Sequence, residues 1–234
     1  MPHLGQGCPS AMAMGHSMGA RVCRWKGSTL PLPGPDAMME DVPSSRVNIR
    51  DLQAPLRVRY RSDPEAAPIK LSVRSGPSDL ADPLHCAVRP DAVAGVEWPS
   101  GAHAAVGGAG DVACSADLLL GALVACQETT LRMVAANAGI DLEDLEVSAE
   151  ADWDPRGTLA MGREFPIGLS AIRCHTRVVI RGDASGERAE RFLRSAERFC
   201  VVLQTLQNGV SVASTFDLRS ADGGSAGQSA HGRT

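Results

Sequence analysis

The stretch that most constrains this chain covers residues 115–139, SADLLLGALVACQETTLRMVAANAG. Ser115 is a good helix N-cap, Asp117 puts a carboxylate in the first turn, and Gly139 is a typical C-terminal stop. These signals predict one helix of roughly 35 Å. Residues 118–126 are too few to span a bilayer and too apolar on every side for a surface helix. We therefore expect a buried central helix.

A cysteine lies on the apolar face of this helix. Cys126 shares that face with residues spaced three or four positions apart, namely Leu119, Ala122, Leu123, Thr130 and Met133. The thiol should therefore point into the packing, with a hydroxyl one turn away. A buried thiol of this kind is either inert packing or a protected nucleophile.

Composition excludes several classes of protein. With 234 residues, of which 44% are apolar, the chain has enough core for one large or two small domains. The net charge is −4 and no basic cluster is interleaved with aromatics, so we expect neither nucleic-acid nor membrane binding. The seven cysteines form no CxxC pair and no zinc-type spacing, and no signal-peptide core precedes them. A cytoplasmic protein fits best, and a disulfide there is more often catalytic than structural.

The first 50 residues mix Gly, Pro, Ser, Met and His without a sustained period, which predicts a disordered extension over 1–50. Met38 and Met39, just ahead of the patterned region, are alternative starts of the native protein. Ser17 stands in a G-x-S-x-G motif typical of serine hydrolases, but too few residues precede it for the strands that motif requires. A copper-binding arm is a further alternative, with soft ligands at Met12, Met14, His16 and Met18.

The rest of the chain alternates between strand and helix patterns. Leu56, Val58 and Tyr60 alternate with Arg57, Arg59 and Arg61, and a second alternation over 69–73 completes a predicted hairpin. Further strands are predicted at 86–88, 93–98, 146–153, 172–180 and 210–216, a second helix at 185–208, and a disordered tail at 220–234. Strands before, between and after two helices predict an α+β domain over 51–219, with the helices packed against antiparallel sheet. The first helix needs cover on more than one side, so we expect a homodimer.

A second cysteine lies on the apolar stripe of the second helix. If the stripes carrying Cys126 and Cys200 meet, the two sulfurs come within disulfide range. Such a pair is either two structural cysteines or a reactive thiol with a resolving thiol, and spacing alone leaves both alternatives open. Cys174, by contrast, is predicted to be a core residue of a strand.

Two segments carry a family resemblance. Residues 115–140, with LLLGALVACQETTLRM, and residues 196–212, with AERFCVVLQTLQNGVSV, resemble the OsmC/Ohr family of osmotically inducible and organic-hydroperoxide-resistance proteins. The resemblance extends more loosely over residues 51–217. It implies antiparallel sheets packed around two central helices in an intertwined homodimer. It also implies a peroxiredoxin-like enzyme of the oxidative stress response, which reduces organic hydroperoxides, and hydrogen peroxide as well, without metal or other cofactor.

The resemblance also implies the roles of the two thiols. By the motif, Cys126 is the peroxidatic thiolate that becomes a sulfenic acid, and Cys200 condenses with it to a disulfide. An external dithiol, lipoyl-type or similar, then reduces that disulfide. The alternative is a non-enzymatic dimer of the same family, whose apolar cleft around Cys126 binds a small hydrophobic ligand or senses oxidant.

A thiolate at Cys126 needs stabilisation. An ordinary thiol has a pKa of ~8.5, burial raises it, and Cys126 is too far from the start of its own helix for the dipole to help. We therefore expect an arginine from this subunit or its partner, with Arg57 and Arg59 as first candidates, followed by Arg61, Arg74 and Arg89. Asp117 is a candidate carboxylate partner, or else serves the helix start alone. Many relatives have Cys-Pro at the second motif, where this chain has Cys200 followed by Val201.

Overall fold

The computed structural model describes residues 47–183 and 185–219 in full and the backbone of 229–233. Its helices are α1 (Ile49–Ser62), α2 (Ser115–Ala138), the single turn α3 (Pro155–Thr158), α4 (Gly186–Phe199) and α5 (Val201–Asn208). Its strands are β1 (Val73–Ser75), β2 (His85–Pro90), β3 (Trp98–Gly101), β4 (Leu142–Asp152), β5 (Ala171–Ile180), β6 (Val212–Phe216) and β7 (Ser229–Arg233). The strands form three antiparallel sheets, β1-β2-β3, β4-β5 and β6-β7. The predicted α+β class is therefore confirmed.

Several sequence predictions fall at the two ends of the chain. The serine-hydrolase motif at Ser17 and the proposed copper-binding arm lie outside the described residues. The same holds for the predicted disordered extension over 1–50, except for 47–50, where Ile49 and Arg50 begin α1. Within the tail, residues Ser229–Arg233 form a strand that pairs with β6.

The segment after Asn48 is a helix, so the hairpin predicted over 56–73 is wrong. The Asn48 side chain accepts a hydrogen bond from the Arg50 N–H, and Asp51 adds a carboxylate to the first turn. Leu52 and Leu56 are four residues apart, which is a helical spacing. The alternation of Leu56, Val58 and Tyr60 also fits a strand, so this stretch is compatible with both structures. Of the predicted hairpin, a strand remains only at Val73–Ser75.

Helix α2 has the predicted length and ends at the predicted glycine. Gly139 has a left-handed backbone (φ 65°), which glycine adopts without a Cβ clash. The N-cap, however, is Cys114 rather than Ser115, because the Asp117 carboxylate accepts the Cys114 N–H at 2.9 Å and closes a capping box. Asp117 is thereby fixed at the start of the helix.

The hydrophobic core forms around the C-terminal half of α2. Leu131 and Ala135 are each 1% exposed and pack with Ile140, Phe192 and Ala196. Partly buried side chains of β4 and β5 complete the cluster, namely Leu142, Leu145, Val147, Val178 and Ile180. The core therefore lies between α2, α4 and one face of the β4-β5 hairpin.

Helix α2 is only partly covered by its own chain. By length and composition alone it could cross a membrane, a test that core helices of soluble proteins also pass. It packs against β4, α4 and α5. On its other sides Ala122 and Ala125 remain exposed, and Leu119 is 39% exposed.

Truncation of Leu131 should destabilise the fold strongly. Leu131→Ala removes a fully buried side chain and leaves a cavity, so we expect the free energy of unfolding to fall by about 2–5 kcal/mol. Leu119→Ala, on the exposed side of the same helix, should change it by less than about 1 kcal/mol. Urea unfolding of both variants checks this expectation, and equal losses would contradict the assignment of the core face.

The second predicted helix is two helices. Cys200 has an extended backbone (φ −75°, ψ 104°), ends α4 and is the N-cap of α5. The Gln204 N–H donates to the Cys200 carbonyl at 2.9 Å, which closes the first turn of α5. The N–H groups of Val201, Val202 and Leu203 therefore have no partner within α5.

Candidate active site

The structure brings the two predicted thiols together. Cys126 lies in the middle of α2 and Cys200 at the junction of α4 and α5, and their side chains are in hydrogen-bonding contact. Both are free thiols. Cys200 is 0% exposed, whereas Cys126 is only half-buried. Cys126 is therefore the more accessible of the two residues.

The N-terminus of α5 points at the Cys126 sulfur. The backbone N–H groups of Val202 and Val201 donate hydrogen bonds to it, and the Thr130 hydroxyl, one turn along α2, is a further donor. These N–H groups are free because the helix breaks at Cys200, and the start of a helix carries partial positive charge. The backbone dipoles at the start of α5 thus favour negative charge on the Cys126 sulfur.

The pKa values of the two thiols are shifted in opposite directions. Burial raises the pKa of Cys126, but the hydrogen bonds from Val202, Cys200, Val201 and Thr130 outweigh it, so the pKa lies below the ordinary value. Burial raises the pKa of Cys200 to about 11, and its contact with Cys126 adds to the rise. Cys126 is therefore the more acidic thiol of the pair, and Cys200 is the thiol that donates to the Cys126 sulfur.

Backbone N–H groups at the start of α5 act on Cys126, and the arginine expected from this subunit or its partner stays a prediction. The break at Cys200 supplies donors to Cys126 from the backbone, which the continuous helix predicted over 185–208 would not have done. Arg57 lies on α1, where its Nη2 donates to the Gln53 side chain at 2.9 Å. Arg59 is exposed on the same helix.

The remaining arginine candidates lie on the first sheet and at the end of α1. Arg74 pairs with Asp91 at 2.9 Å and Arg89 with Glu97, both on the β1-β2-β3 sheet and the turns beside it, and Arg61 lies in the last turn of α1.

Asp117 caps the start of α2. It precedes Cys126 by roughly 13 Å along the helix axis. The Cys114 N–H and then the Cys114 side chain lower the pKa of its carboxyl, which is therefore ionised in the capping box. Of the two roles predicted for Asp117, its position fits the structural one.

An apolar cavity of about 690 Å³ lies beside the site, between α1, α2 and α4. We call it the α1 cavity; its walls include Arg57, Thr130, Met133, Val134 and Phe199. Thr130 links it to the thiols because its hydroxyl contacts the Cys126 sulfur. Arg57 and Thr130 thus lie on walls of the same cavity, which has room for an apolar molecule with a polar end.

The segment that carries both cysteines is similar to a known protein family. Residues 108–215, which include both cysteines, match the family described as OsmC-like protein. Over these residues the chain is similar to OsmC-like proteins. The resemblance seen in the two cysteine segments is therefore confirmed.

Solved structures of OsmC-like proteins overlay on this chain at low identity. An organic hydroperoxide resistance protein OsmC from Legionella pneumophila is 17% identical, with 62% of this chain and 93% of that chain covered and a TM-score of 0.46. An OsmC-like protein from Mycoplasma pneumoniae is 16% identical, with 60% and 89% covered and a TM-score of 0.46. An organic hydroperoxide resistance protein from Elizabethkingia anophelis is 18% identical, with 61% and 91% covered and a TM-score of 0.46. No curated protein matches the sequence.

A second cavity, of about 600 Å³, lies on the β5 side of the OsmC-like domain. We call it the β5 cavity; its walls include Leu123, Gln127, Cys174, Leu193, Leu203 and Leu206. Cys174 was predicted to be a core residue, and this prediction is wrong because its side chain is exposed at this cavity. The core covers the inward face of β5 at Val178 and Ile180 and does not extend to Cys174.

Within the described residues, no group of three or more His, Cys, Asp or Glu is placed to hold a metal ion.

The Thr130 hydroxyl should tune the acidity of Cys126. Alkylation by iodoacetamide follows the thiolate fraction, so its rate in the native protein should rise with pH around a midpoint below the ordinary ~8.5. Thr130→Val keeps the shape but removes one donor to the sulfur, so the midpoint should rise by roughly 0.5–1 pH unit.

Thr129→Val is the matched control for this prediction. The Thr129 hydroxyl donates to the Ala125 carbonyl at 2.6 Å instead, so its loss should leave the midpoint in place. The rate of alkylation at Cys126, followed by peptide mass spectrometry, distinguishes the variants. A Thr130→Val profile identical to that of the native protein would show that the hydroxyl does not act on the thiolate.

Proposed function

We propose that this OsmC-like protein is a thiol-dependent peroxidase, which reduces organic hydroperoxides, and hydrogen peroxide as well, through a Cys126 sulfenic acid and a Cys126–Cys200 disulfide. One observation carries the proposal: two contacting thiols of which one has a lowered pKa and the other a raised pKa. Inert core cysteines have no need of this asymmetry. The match of residues 108–215 to OsmC-like proteins adds support.

The first half-reaction uses the acidic thiol. The Cys126 thiolate attacks the terminal oxygen of the hydroperoxide, the O–O bond breaks, and the alkoxide leaves and takes a proton to become an alcohol. Cys126 is then a sulfenic acid. Neither metal nor flavin is required, since the two electrons come from sulfur. The α1 cavity offers an apolar space for the organic group beside Thr130.

The second half-reaction uses the buried thiol. The Cys200 sulfur attacks the Cys126 sulfur, the S–O bond breaks, and the leaving hydroxide takes the Cys200 proton to form water. Contact between the two side chains makes this step intramolecular. Because Cys200 is fully buried, competing reactions of its thiol with solvent oxidants are suppressed.

The proposed function includes two partners, an external dithiol and a second copy of the chain, and a cytoplasmic location. An external dithiol returns both sulfurs to the thiol state. A second copy of the chain covers the exposed side of α2 at Leu119, Ala122 and Ala125, and exposed apolar side chains of the first sheet, Val73 and Trp98, suit the same contact. The cytoplasm supplies the reducing conditions that keep the thiols free.

Peroxide consumption by the purified full chain tests the proposed activity. With dithiothreitol as reductant, we expect catalytic loss of cumene hydroperoxide, faster than the loss of hydrogen peroxide. The uncatalysed loss with dithiothreitol alone is the control. No turnover of either peroxide would contradict the proposal.

The second candidate function is a non-enzymatic OsmC-like dimer that binds a small hydrophobic ligand or senses oxidant. The β5 cavity favours it, because its walls are mostly apolar and include Gln127. Gln127 is 9% exposed and, within the described residues, its Oε1 atom has no hydrogen-bond partner. Native mass spectrometry that finds a co-purified small molecule, together with absence of peroxide turnover, would favour this candidate.

A further inference from the structure

We propose that the β5 cavity binds a small uncharged molecule with an apolar body and an N–H or O–H group, which donates a hydrogen bond to the Gln127 side chain. This site is separate from the α1 cavity proposed for the peroxide, because the two cavities share no wall residue. It is formed whether or not the two thiols react with peroxide. The inference therefore goes beyond the peroxidase and gives the chemistry of a second ligand.

The β5 cavity lies between four elements of the domain. Leu123 of α2, Ile172 of β5, Leu193 of α4 and Leu206 of α5 line it with apolar side chains. Its volume of about 600 Å³ is typical of sites for small molecules. Contact with these side chains removes the apolar body of a ligand from water and favours binding.

Gln127 is the polar residue of the cavity that lacks a partner. It is 9% exposed, and within the described residues its buried Oε1 atom accepts no hydrogen bond. A buried acceptor without a donor is destabilising, and buried polar groups rarely remain in this state. The last torsion of a glutamine side chain is broad, so rotation of the carboxamide can turn its oxygen towards a donor in the cavity. A ligand with an N–H or O–H group thus satisfies an acceptor that the chain leaves unpaired.

The charge on the cavity walls favours an uncharged ligand. Glu197 supplies a carboxylate, and no arginine, lysine or histidine of the described residues lines the cavity. A ligand carboxylate would lose part of its hydration there and would meet a like charge without a cation. Alcohols and amides therefore fit the site, whereas organic anions do not.

A second copy of the chain is placed elsewhere on α2. The side proposed for the contact between copies carries Leu119, Ala122 and Ala125, and none of these residues lines the β5 cavity. The dimer contact therefore leaves the cavity to a small molecule.

Protection of Cys174 from alkylation tests the site, because this exposed thiol lines the cavity. The probes are 1-octanol and its isomer heptyl methyl ether, which has the same atoms but no O–H donor. The reduced full chain is alkylated with N-ethylmaleimide at increasing probe concentration. Peptide mass spectrometry follows Cys174, with exposed Cys86 as the internal standard. We expect 1-octanol to halve the Cys174 rate at a concentration about 3- to 10-fold lower than the ether does. Octanoate should protect least.

Gln127→Leu removes the acceptor at a similar side-chain volume, so the two isomers should then protect Cys174 at equal concentrations. The comparison of the isomers in the native chain needs no variant, so it decides the matter even if Gln127→Leu does not fold. Equal protection by the isomers in the native chain, or no protection by 1-octanol up to its solubility, would overturn the proposal. A Cys174 that is unreactive without any probe would also overturn it, since a second copy of the chain would then cover the cavity.

Discussion

Replacement of Cys126 by serine should abolish hydroperoxide reduction, with a loss of at least about 10³-fold in rate. A serine hydroxyl has almost no alkoxide at neutral pH, and the donors from α5 that lower the pKa of the thiol cannot compensate for so weak an acid. The initial rate of cumene hydroperoxide loss with dithiothreitol measures the effect.

Cys174→Ser is the matched control for this substitution. Cys174 is also a free thiol that lines a cavity, but partial desolvation by the cavity walls raises its pKa and no α5 donor acts on it. Its replacement should leave the rate unchanged. Full activity in Cys126→Ser, or a loss in Cys174→Ser as large as in Cys126→Ser, would contradict the assignment of the nucleophile.

Replacement of Cys200 by serine should separate the two half-reactions. One equivalent of peroxide should still be consumed at close to the native rate, because Cys126 keeps its backbone donors from Val201 and Val202. The sulfenic acid then has no neighbouring thiol, so turnover should fall by at least about 10-fold and excess peroxide should carry Cys126 to the irreversible sulfinic acid.

Mass spectrometry of Cys126 after one and ten equivalents of peroxide checks this sequence of events. We expect one added oxygen after the first addition and two after the second, whereas the native protein should show the disulfide. Native turnover in Cys200→Ser without over-oxidation would show that resolution does not depend on Cys200. The single-turnover rate reports on Cys126 alone, so it also separates loss of fold from loss of the resolving thiol.

The central helix and the β4-β5 hairpin could be predicted because their signals are long and local. The apolar run of α2 ends at Gly139, and the strand patterns over 146–153 and 172–180 alternate without interruption. The same periodicity placed Cys126 and Cys200 on apolar faces, which the structure brings into contact. Family resemblance, rather than spacing, supplied the expectation that the pair is reactive.

Helix α1 was missed because its short apolar run fits both the period of a strand and the period of a helix. Leu56, Val58 and Tyr60 alternate as a strand would, but Leu52 and Leu56 also have helical spacing, and Asn48 caps the segment. The N-cap residue Asn48 was the signal in the sequence that indicates the start of a helix.

The break at Cys200 was missed because the residues on both sides of it read as one helix. One signal for it was present, because Val201 and Val202 are β-branched and have low helix propensity. The break gives Cys126 its backbone hydrogen-bond donors, so these donors could not be predicted from one continuous helix.

The most direct test of the account maps disulfides in the purified chain after one equivalent of an organic hydroperoxide. Peptide mass spectrometry should find Cys126 joined to Cys200, with the bond reversed by dithiothreitol and the hydroperoxide converted to its alcohol. If both thiols stay free while the peroxide persists, the peroxidase account is contradicted, and the ligand-binding dimer becomes the better explanation of the OsmC-like fold.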